Sequence, residues 1–211
     1  HKPKLIFICN PNNPTGTVLS AQEIIKLANL NKKSLIVVDE LYEKFNGDSL
    51  LPVIDFKKIK NIVVIQSLSK TAGLAGLRIG FAFGHKRIIQ YINKVTGPYD
   101  VNSFAVTAAL AALNDKSYID NYVSEVKKAR VLIEKKFESV AIRKHFGGGN
   151  YFLIWPKKDP EILTRQMREK GILIREMKNK KDIENSIRVS IGTQDQMSFF
   201  WSNYKKLDLN N

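Results

Sequence analysis

Polar side chains that could do chemistry stand shortly after three apolar runs of this sequence. Asn13, Asp39 and Lys70 each follow or end such a run, so an amide, a carboxylate and an amine recur at equivalent places. Continuous apolar runs are typical of strands in a parallel sheet that is covered on both faces, and such sheets bind ligands beyond the carboxyl ends of their strands. The sequence therefore predicts a crevice lined by these three side chains.

The residues around Lys70 are suited to binding an anion and to amine chemistry. Ser67 and Ser69 precede it and Arg78 follows it, so two hydroxyls and a forked cation are available for a phosphate group. A lysine amine held near a fixed cation can serve as a Schiff-base nucleophile. Tyr42, after the second apolar run, adds a phenol.

Each of these residues also has a purely structural explanation. Asp39 could cap a helix, Tyr42 could belong to a half-buried core, and Lys70 could lie on the surface. The segment 10–16, rich in Asn and Pro, could be only a turn. Taken together, however, polar groups at three successive strand ends favour a functional site.

The remaining patterns predict an α/β protein in two parts. In residues 1–115 apolar strands alternate with helices, one of which begins with a capping box at Ser20 and Glu23, so we expect part of a large domain with a mostly parallel sheet. Residues 116–211 are predicted to contain a long linking helix and a small α+β domain, because the pattern changes after the glycines at 147–149.

The composition argues against several other classes of protein. The formal net charge is +14, but the Lys and Arg residues are scattered in pairs, which favours solvated surface over nucleic-acid binding. No apolar run is long enough to span a membrane. The lone Cys9, interpreted as a small core residue, excludes an internal disulfide and suits a reducing, cytoplasmic compartment. His85 and His145 lack metal-ligand spacing, so we predict no metal site.

Three segments are similar, in order and spacing, to the signature segments of fold-type I pyridoxal-phosphate-dependent aminotransferases. They are Asn-Pro-Asn-Asn-Pro-Thr-Gly at 10–16, Val-Asp-Glu-Leu-Tyr at 38–42, and Ser-Leu-Ser-Lys-Thr-Ala-Gly-Leu-Ala-Gly-Leu-Arg-Ile-Gly at 67–80. The similarity continues to Ile-Arg-Val-Ser-Ile-Gly-Thr at 187–193 and covers nearly the whole chain. Within the family, the sequence most resembles the histidinol-phosphate aminotransferases.

This resemblance implies a role for each residue near the cofactor ring. Lys70 would bind pyridoxal 5'-phosphate covalently and then carry a proton at the substrate Cα. Asp39 would pair with the protonated ring nitrogen, and Asn13 and Tyr42 would bond the ring hydroxyl.

The resemblance also assigns residues to two anions. The cofactor phosphate would be held by Ser67, Ser69 and Arg78. A substrate carboxylate or equivalent anion would be bound by Arg188, with Arg175 and Asn150 as further candidates for the same pocket.

The implied activity is transfer of an amino group between glutamate or 2-oxoglutarate and a phosphorylated amino alcohol or its keto partner, with histidinol phosphate favoured. Two alternatives stay open: decarboxylation of a phosphorylated amino acid, and an inactive domain kept for binding or assembly. The resemblance also implies a homodimer with active sites near the subunit interface. The family's N-terminal segment has no counterpart here, so we expect this chain alone not to make a complete active site.

Overall fold

The computed structural model of the protein describes residues 2–210, which form two compact units. The first unit comprises Thr17–Tyr122 together with the segment up to Asn12. The second unit comprises Asn13–Gly16 together with the segment from Val123 onward. Asn13–Gly16 therefore belongs to the second unit, although in the sequence it lies between a strand and a helix of the first.

The first unit is built on a four-stranded sheet in the order β1-β2-β3-β4. β1, β2 and β3 are parallel, and β4 runs antiparallel to β3. The strands are β1 (Leu5–Cys9), β2 (Leu35–Asp39), β3 (Ile62–Ser67) and β4 (Gly80–Gly84). The predicted α/β class with a mostly parallel sheet is confirmed, and an antiparallel edge strand is common in such sheets.

The two faces of this sheet are covered to different degrees. On one face Ile36, Val38 and Val64 are fully buried and pack with the helix that follows β1. On the opposite face, the edge strand β1 exposes 52% of Leu5 and 71% of Phe7. Because side chains alternate along a strand, one face of β1 supplies the core while the other contacts solvent.

Cys9 lies on the exposed face of β1, in line with Leu5 and Phe7. The prediction that it is a small core residue is therefore wrong. The apolar run indicated a buried strand, but it could not show that one face of this edge strand is open.

Five of the helices begin at a residue whose side chain caps them, whereas the short helix after Tyr42 has no side-chain cap. The helices are α1 (Ala21–Leu30), α2 (Glu43–Asn46), α3 (Lys86–Asn93), α4 (Ser103–Asn114), α5 (Lys116–Glu138), α6 (Pro160–Glu169) and α7 (Gln194–Tyr204). The predicted capping box of α1 is confirmed, since Ser20 N donates to Glu23 Oε2 at 2.7 Å and Glu23 N donates to Ser20 Oγ at 3.3 Å. His85 caps α3 by accepting from Arg87 N at 3.2 Å.

The second unit contains an antiparallel sheet in the order β5-β6-β8-β7, accompanied by the helices from α6 onward and by the part of α5 from Val123. Its strands are β5 (Lys144–Phe146), β6 (Tyr151–Ile154), β7 (Arg175–Glu176) and β8 (Ile187–Ser190). The core is aromatic: the ring of Phe137 lies 5.0 Å from that of Trp201, 5.5 Å from that of Tyr204 and 5.8 Å from that of Phe152. Such rings contribute more than their buried area, because edge-to-face geometry is favourable.

A buried, hydrogen-bonded carboxylate lies near the C-terminal end of the second unit. Asp208 is 2% exposed and accepts hydrogen bonds from Lys157 N at 3.1 Å, Lys158 N at 2.8 Å and Tyr204 Oη at 2.7 Å. Burial, followed by the bond to Asp208, raises the pKa of the Tyr204 phenol far above its ordinary value. The network satisfies a charge that would otherwise be costly to bury.

Within residues 2–210, no helix is both long and apolar enough to cross a membrane. The same range holds no group of His, Cys, Asp and Glu side chains arranged to bind a metal ion.

Candidate functional site

In the first unit, the carboxyl ends of β2 and β3 border a cavity of about 330 Å³. Five polar residues singled out by the sequence line it: Asp39, Ser67, Ser69, Lys70 and Arg78. They meet because parallel neighbouring strands end at the same edge of the sheet. The cavity thus combines a carboxylate, an amine, a guanidinium and two hydroxyls.

Asp39 ends β2 and is half-buried. It pairs with Cys9 on one side and Ile65 on the other, so alternation places Asp39, Ile65 and Ser67 on one face of the sheet. Its Oδ1 accepts from Leu41 N at 3.0 Å. Desolvation, followed by the negative charge of Asp39, raises the pKa of the Cys9 thiol. The carboxylate therefore acts electrostatically on its surroundings at the strand end.

Lys70 follows β3 and is half-buried. Its Nζ lies 5.9 Å from the centroid of the Tyr42 ring, near the outer limit of a cation–π contact. Tyr42 itself is 6% exposed and immediately precedes α2. The amine is thus held beside a buried phenol ring at the edge of the cavity.

The loop between β3 and β4 presents hydroxyls and a guanidinium. Ser67 Oγ accepts from Ser69 N at 3.2 Å, which turns the chain away from the strand. Arg78 follows a short 3-10 turn, and its φ of +55° lies in the left-handed region that few non-glycine residues adopt. Its Nη1 donates to Ala75 O at 3.1 Å, and the side chain is otherwise exposed at the cavity. Non-glycine residues in sparsely populated backbone regions cluster at active sites and ligand clamps.

The second unit carries the remaining candidates, and Arg188 is the centre of the group. Its Nη1 donates to Asn13 Oδ1 at 2.6 Å, and its guanidinium carbon lies 5.4 Å from the centroid of the Tyr151 ring. Arg188 is half-buried on β8. The guanidinium is thereby oriented by an amide and by an aromatic ring.

Arg175 lies directly opposite Arg188 in the antiparallel pair of β7 and β8. Both side chains therefore point to the same face of the second sheet. Like charges placed directly opposite each other are destabilising, unless an anion lies between or beside them. Asn150 is half-buried and its carbonyl accepts from Ile191 N at 2.8 Å, just beyond the end of β8.

Glycine residues allow Asn13–Gly16 to pack closely against the loop before β6 in the second unit. Gly148 N donates to Gly16 O at 2.7 Å. A Cβ on Gly147 would lie 2.5 Å from the Cα of Gly16, and Gly16 has a φ of +76°. Only glycine at both positions permits so close an approach of two backbones, so the segment that bears Asn13 is tied to the loop before β6.

The sequence reasoning missed a hydrogen-bonded carboxylate next to Asp39. Glu40 is 2% exposed and accepts from Leu50 N at 2.6 Å, Ser49 Oγ at 2.7 Å and Gln66 Nε2 at 2.9 Å. The signal was present, because the residue after Asp39 in an alternating strand must face the other side of the sheet. An acidic residue there has to find donors in the core.

Arg130 was also missed. It is half-buried on α5 and donates from Nη2 to the carbonyl of Gly149. Burial lowers the pKa of Arg130, and the neighbouring Glu134 carboxylate acts in the opposite direction. Burial likewise raises the pKa of Glu134, with Arg130 opposing it. In a helix rich in lysine, nothing in the sequence distinguished this cation from solvated ones.

Comparison with known proteins identifies the family. The sequence model described as "Aminotransferase class I and II" matches residues 1–200. The chain belongs to this family. Curated relatives include histidinol-phosphate aminotransferases from Thermoanaerobacter pseudethanolicus, 32% identical over 98% of this chain and 58% of the relative, and from Pelagibacter ubique, 36% identical over 94% of this chain and 57% of the relative. This chain therefore spans a little more than half the length of the curated relatives it matches.

Solved structures agree with this assignment. The histidinol-phosphate aminotransferase of Clostridium acetobutylicum superposes with a TM-score of 0.89 at 25% identity, over 99% of this chain and 65% of that one. The L-threonine-O-3-phosphate decarboxylase of Porphyromonas gingivalis superposes with a TM-score of 0.81 at 27% identity, over 96% of this chain and 64% of that one. The predicted fold-type I class and the resemblance to histidinol-phosphate aminotransferases are confirmed.

Proposed function

We propose that the protein is a pyridoxal-phosphate-dependent aminotransferase. It moves an amino group between glutamate or 2-oxoglutarate and a phosphorylated amino alcohol or its keto partner. Histidinol phosphate is the preferred substrate. The observation that carries the proposal is the single cavity lined by Asp39, Ser67, Ser69, Lys70 and Arg78. The names of the relatives support the choice of substrate.

The donor set of this cavity fits pyridoxal phosphate. A guanidinium with two hydroxyls suits a phosphate group, a carboxylate suits a protonated ring nitrogen, and an amine suits an aldehyde. When bound, pyridoxal phosphate supplies a ring that accepts electrons from the substrate Cα. The chain's own residues must therefore hold that ring, keep its nitrogen protonated and move a proton.

Each first-unit residue then has a task that follows from its chemistry. Asp39, at the end of β2, provides the negative charge that favours a protonated nitrogen. Lys70 provides the amine that moves a proton at the substrate Cα. Ser67, Ser69 and Arg78 hold the phosphate, and the phenol group of Tyr42 hydrogen-bonds the ring hydroxyl.

The second-unit residues are proposed as the anion-binding group. Arg188 binds a carboxylate or an equivalent anion of the substrate, and the like charge of Arg175 on the same sheet face supports anion binding there. Asn150 is assigned to this group, and Asn13 to the cofactor ring hydroxyl, on the resemblance alone. These assignments remain proposals for mutagenesis.

Reductive trapping tests the proposal. Full-length protein is incubated with pyridoxal phosphate, reduced with borohydride and digested, and the peptides are mapped. We expect the phosphopyridoxyl group on Lys70 and not on Lys60, an exposed lysine at the opposite end of β3. A label on any other lysine, or none, would overturn the assignment.

A decarboxylase of a phosphorylated amino acid is the second candidate, because the Porphyromonas gingivalis decarboxylase shares this fold at 27% identity. Substrate assays separate the two: histidinol phosphate with 2-oxoglutarate should yield glutamate, whereas O-phosphothreonine should release no carbon dioxide. An inactive domain would give neither product while still folding.

We further propose a homodimer located in the cytoplasm. The apolar side chains of α4 support the dimer, since Phe104 is 81% exposed and Leu110 57% exposed, and such surfaces usually mark interfaces. Light scattering of the full-length protein tests the dimer, and a fully active monomer would contradict it.

The proposal also assigns the domains of each chain. Residues 1–115 would belong to the large cofactor-binding domain, and residues 116–211 to the linking helix and small domain.

A further inference from the structure

On the sheet face opposite Asp39 and Ser67, the buried Glu40 and the half-buried Gln66 connect the ends of β2 and β3. Asp39 and Ser67 share one face of the sheet, and alternation directs their neighbours Glu40 and Gln66 to the other. Gln66 Nε2 donates to Glu40 Oε2 at 2.9 Å. The connection therefore lies one residue away from each of two residues assigned to the cofactor.

The connection is anchored on both sides. The Glu40 backbone N–H donates to Ile65 O at 2.8 Å, so main chain and side chain both join the two strands. The other carboxylate oxygen accepts from Leu50 N at 2.6 Å, and Ser49 Oγ donates to Oε2 at 2.7 Å. A buried carboxylate with three donors has little freedom to move, because each lost bond leaves a buried polar group unsatisfied.

Gln66 also lines the cavity that contains Asp39 and Lys70. A displacement of its side chain would therefore change both the strand spacing and the cavity wall. By contrast, Asn61, at the amino end of β3, donates to Ala28 O at 3.1 Å, Asn31 O at 3.2 Å and Ser34 O at 3.1 Å and does not line the cavity. Asn61 therefore serves as a control for hydrogen bonds that stabilise the other end of β3 without contacting the cavity.

We propose that Glu40 and Gln66 form a positioning pair that fixes the spacing between Asp39 and the Ser67–Lys70 segment, and so sets the affinity of the site for its phosphorylated cofactor. Glu40 does not line the cavity, and Gln66, which does, is assigned no direct bond to substrate or cofactor: both residues act through Asp39 and the Ser67–Lys70 segment. This inference rests on the proposed function, since it assigns a role in the same cavity.

The test exchanges the two polar groups in the full-length protein. Gln66→Glu replaces the amide donor to Glu40 by a second carboxylate, and Coulomb repulsion between the two charges should separate the strand ends. The double substitution Glu40→Gln with Gln66→Glu reverses donor and acceptor and restores the contact. The readout is the dissociation constant of pyridoxal phosphate from the apoprotein, measured by absorbance, with thermal unfolding of each apoprotein in parallel.

We expect Gln66→Glu to weaken cofactor binding about tenfold and the double variant to recover most of the loss. Asn61→Ala should lower the unfolding temperature and leave cofactor affinity unchanged. Equal losses of affinity in Gln66→Glu and Asn61→Ala, at equal loss of unfolding temperature, would mean a purely structural role and overturn the proposal. Failure of the double variant to recover affinity, when it folds, would overturn it as well.

A milder variant covers the case in which Gln66→Glu does not fold. Gln66→Met removes one donor at nearly constant volume and should weaken binding about threefold, so unchanged affinity would overturn the proposal. The outcomes are separable from failure of the proposed function. If the unsubstituted protein binds no pyridoxal phosphate, the function is wrong, whereas normal binding with insensitive variants rejects only the positioning pair.

Discussion

The sheet of the first unit is mainly parallel, the sheet of the second unit is antiparallel, and the two place polar side chains differently. In the first unit, Asp39 and Lys70 come from successive strand ends and meet at one edge. In the second unit, Arg175 and Arg188 meet across neighbouring strands in register. Parallel order thus concentrates chemistry beyond the strands, whereas antiparallel pairing places it on a sheet face.

The units also differ in how they are stabilised. The first has an aliphatic core on one face of its sheet, while the edge strand β1 is open on the other. The second has a core of packed aromatic rings and the buried Asp208 network. We therefore expect substitutions in the first unit's cavity to change function more than stability, and substitutions around Asp208 to do the reverse.

The largest effect is expected for Asp39→Asn, which removes the charge but keeps the shape of the strand end. Turnover should fall on the order of 10²-fold because the electrostatic stabilisation is lost. Asp55→Asn is the matched control, because Asp55 Oδ1 accepts from Lys57 N at 2.9 Å much as Asp39 accepts from Leu41 N. Half-reaction rates at saturating cofactor are the measurement, and unchanged rates would contradict the role of Asp39.

Asp208→Ala should be the most destabilising change in the second unit. It leaves the backbone N–H groups of Lys157 and Lys158 and the Tyr204 phenol without their acceptor, at a cost of about 2 kcal/mol in the free energy of unfolding. Urea unfolding measures the loss, with the exposed Glu169→Ala as control. A variant as stable as the control would refute the importance of this network.

Arg78→Ala tests the role of the first unit's cavity in cofactor binding. It should weaken retention of the cofactor more than it lowers turnover at saturating cofactor. Loss of a charge-assisted bond to phosphate corresponds to about tenfold weaker binding. Equilibrium dialysis of pyridoxal phosphate measures the effect, and Arg87→Ala, on the exposed helix α3, serves as control. Equal affinities for the two variants would remove Arg78 from the phosphate site.

The smallest effect concerns the pH dependence of Tyr204→Phe. The phenol pKa is raised in the folded state, so Tyr204 contributes stability that is fully present below its unfolded value of about 10 and is lost as pH rises above it. The wild type should be about 1 kcal/mol more stable than the variant at neutral pH, and the gap should narrow as the pH rises above about 10. A gap that stays constant with pH in urea unfolding would show that Tyr204 ionises normally in the fold.

Much of this protein could be derived from its sequence, because the decisive signals are local. Apolar runs determine β1, β2 and β3, and the side chains of Ser20 and Asp159 determine where α1 and α6 begin. Asp39 and Lys70 line one cavity, as their positions after such runs predicted, since parallel strands must end at a common edge. Asn13, the third residue of that prediction, belongs instead to the second unit.

Only the tertiary structure decided which side of a strand is covered and which distant segments meet. Cys9 is exposed because nothing described in this chain covers that face of β1, and an apolar run looks the same with one face buried or two. Asn13 accepts a hydrogen bond from Arg188, although the two residues lie far apart in sequence. The two segments can meet because glycine at positions 16 and 147 lets their backbones approach closely. Glu40 bonds Gln66 because strand alternation turns both toward the core. These outcomes depend on register and close packing, which bring together residues that local sequence cannot relate to one another.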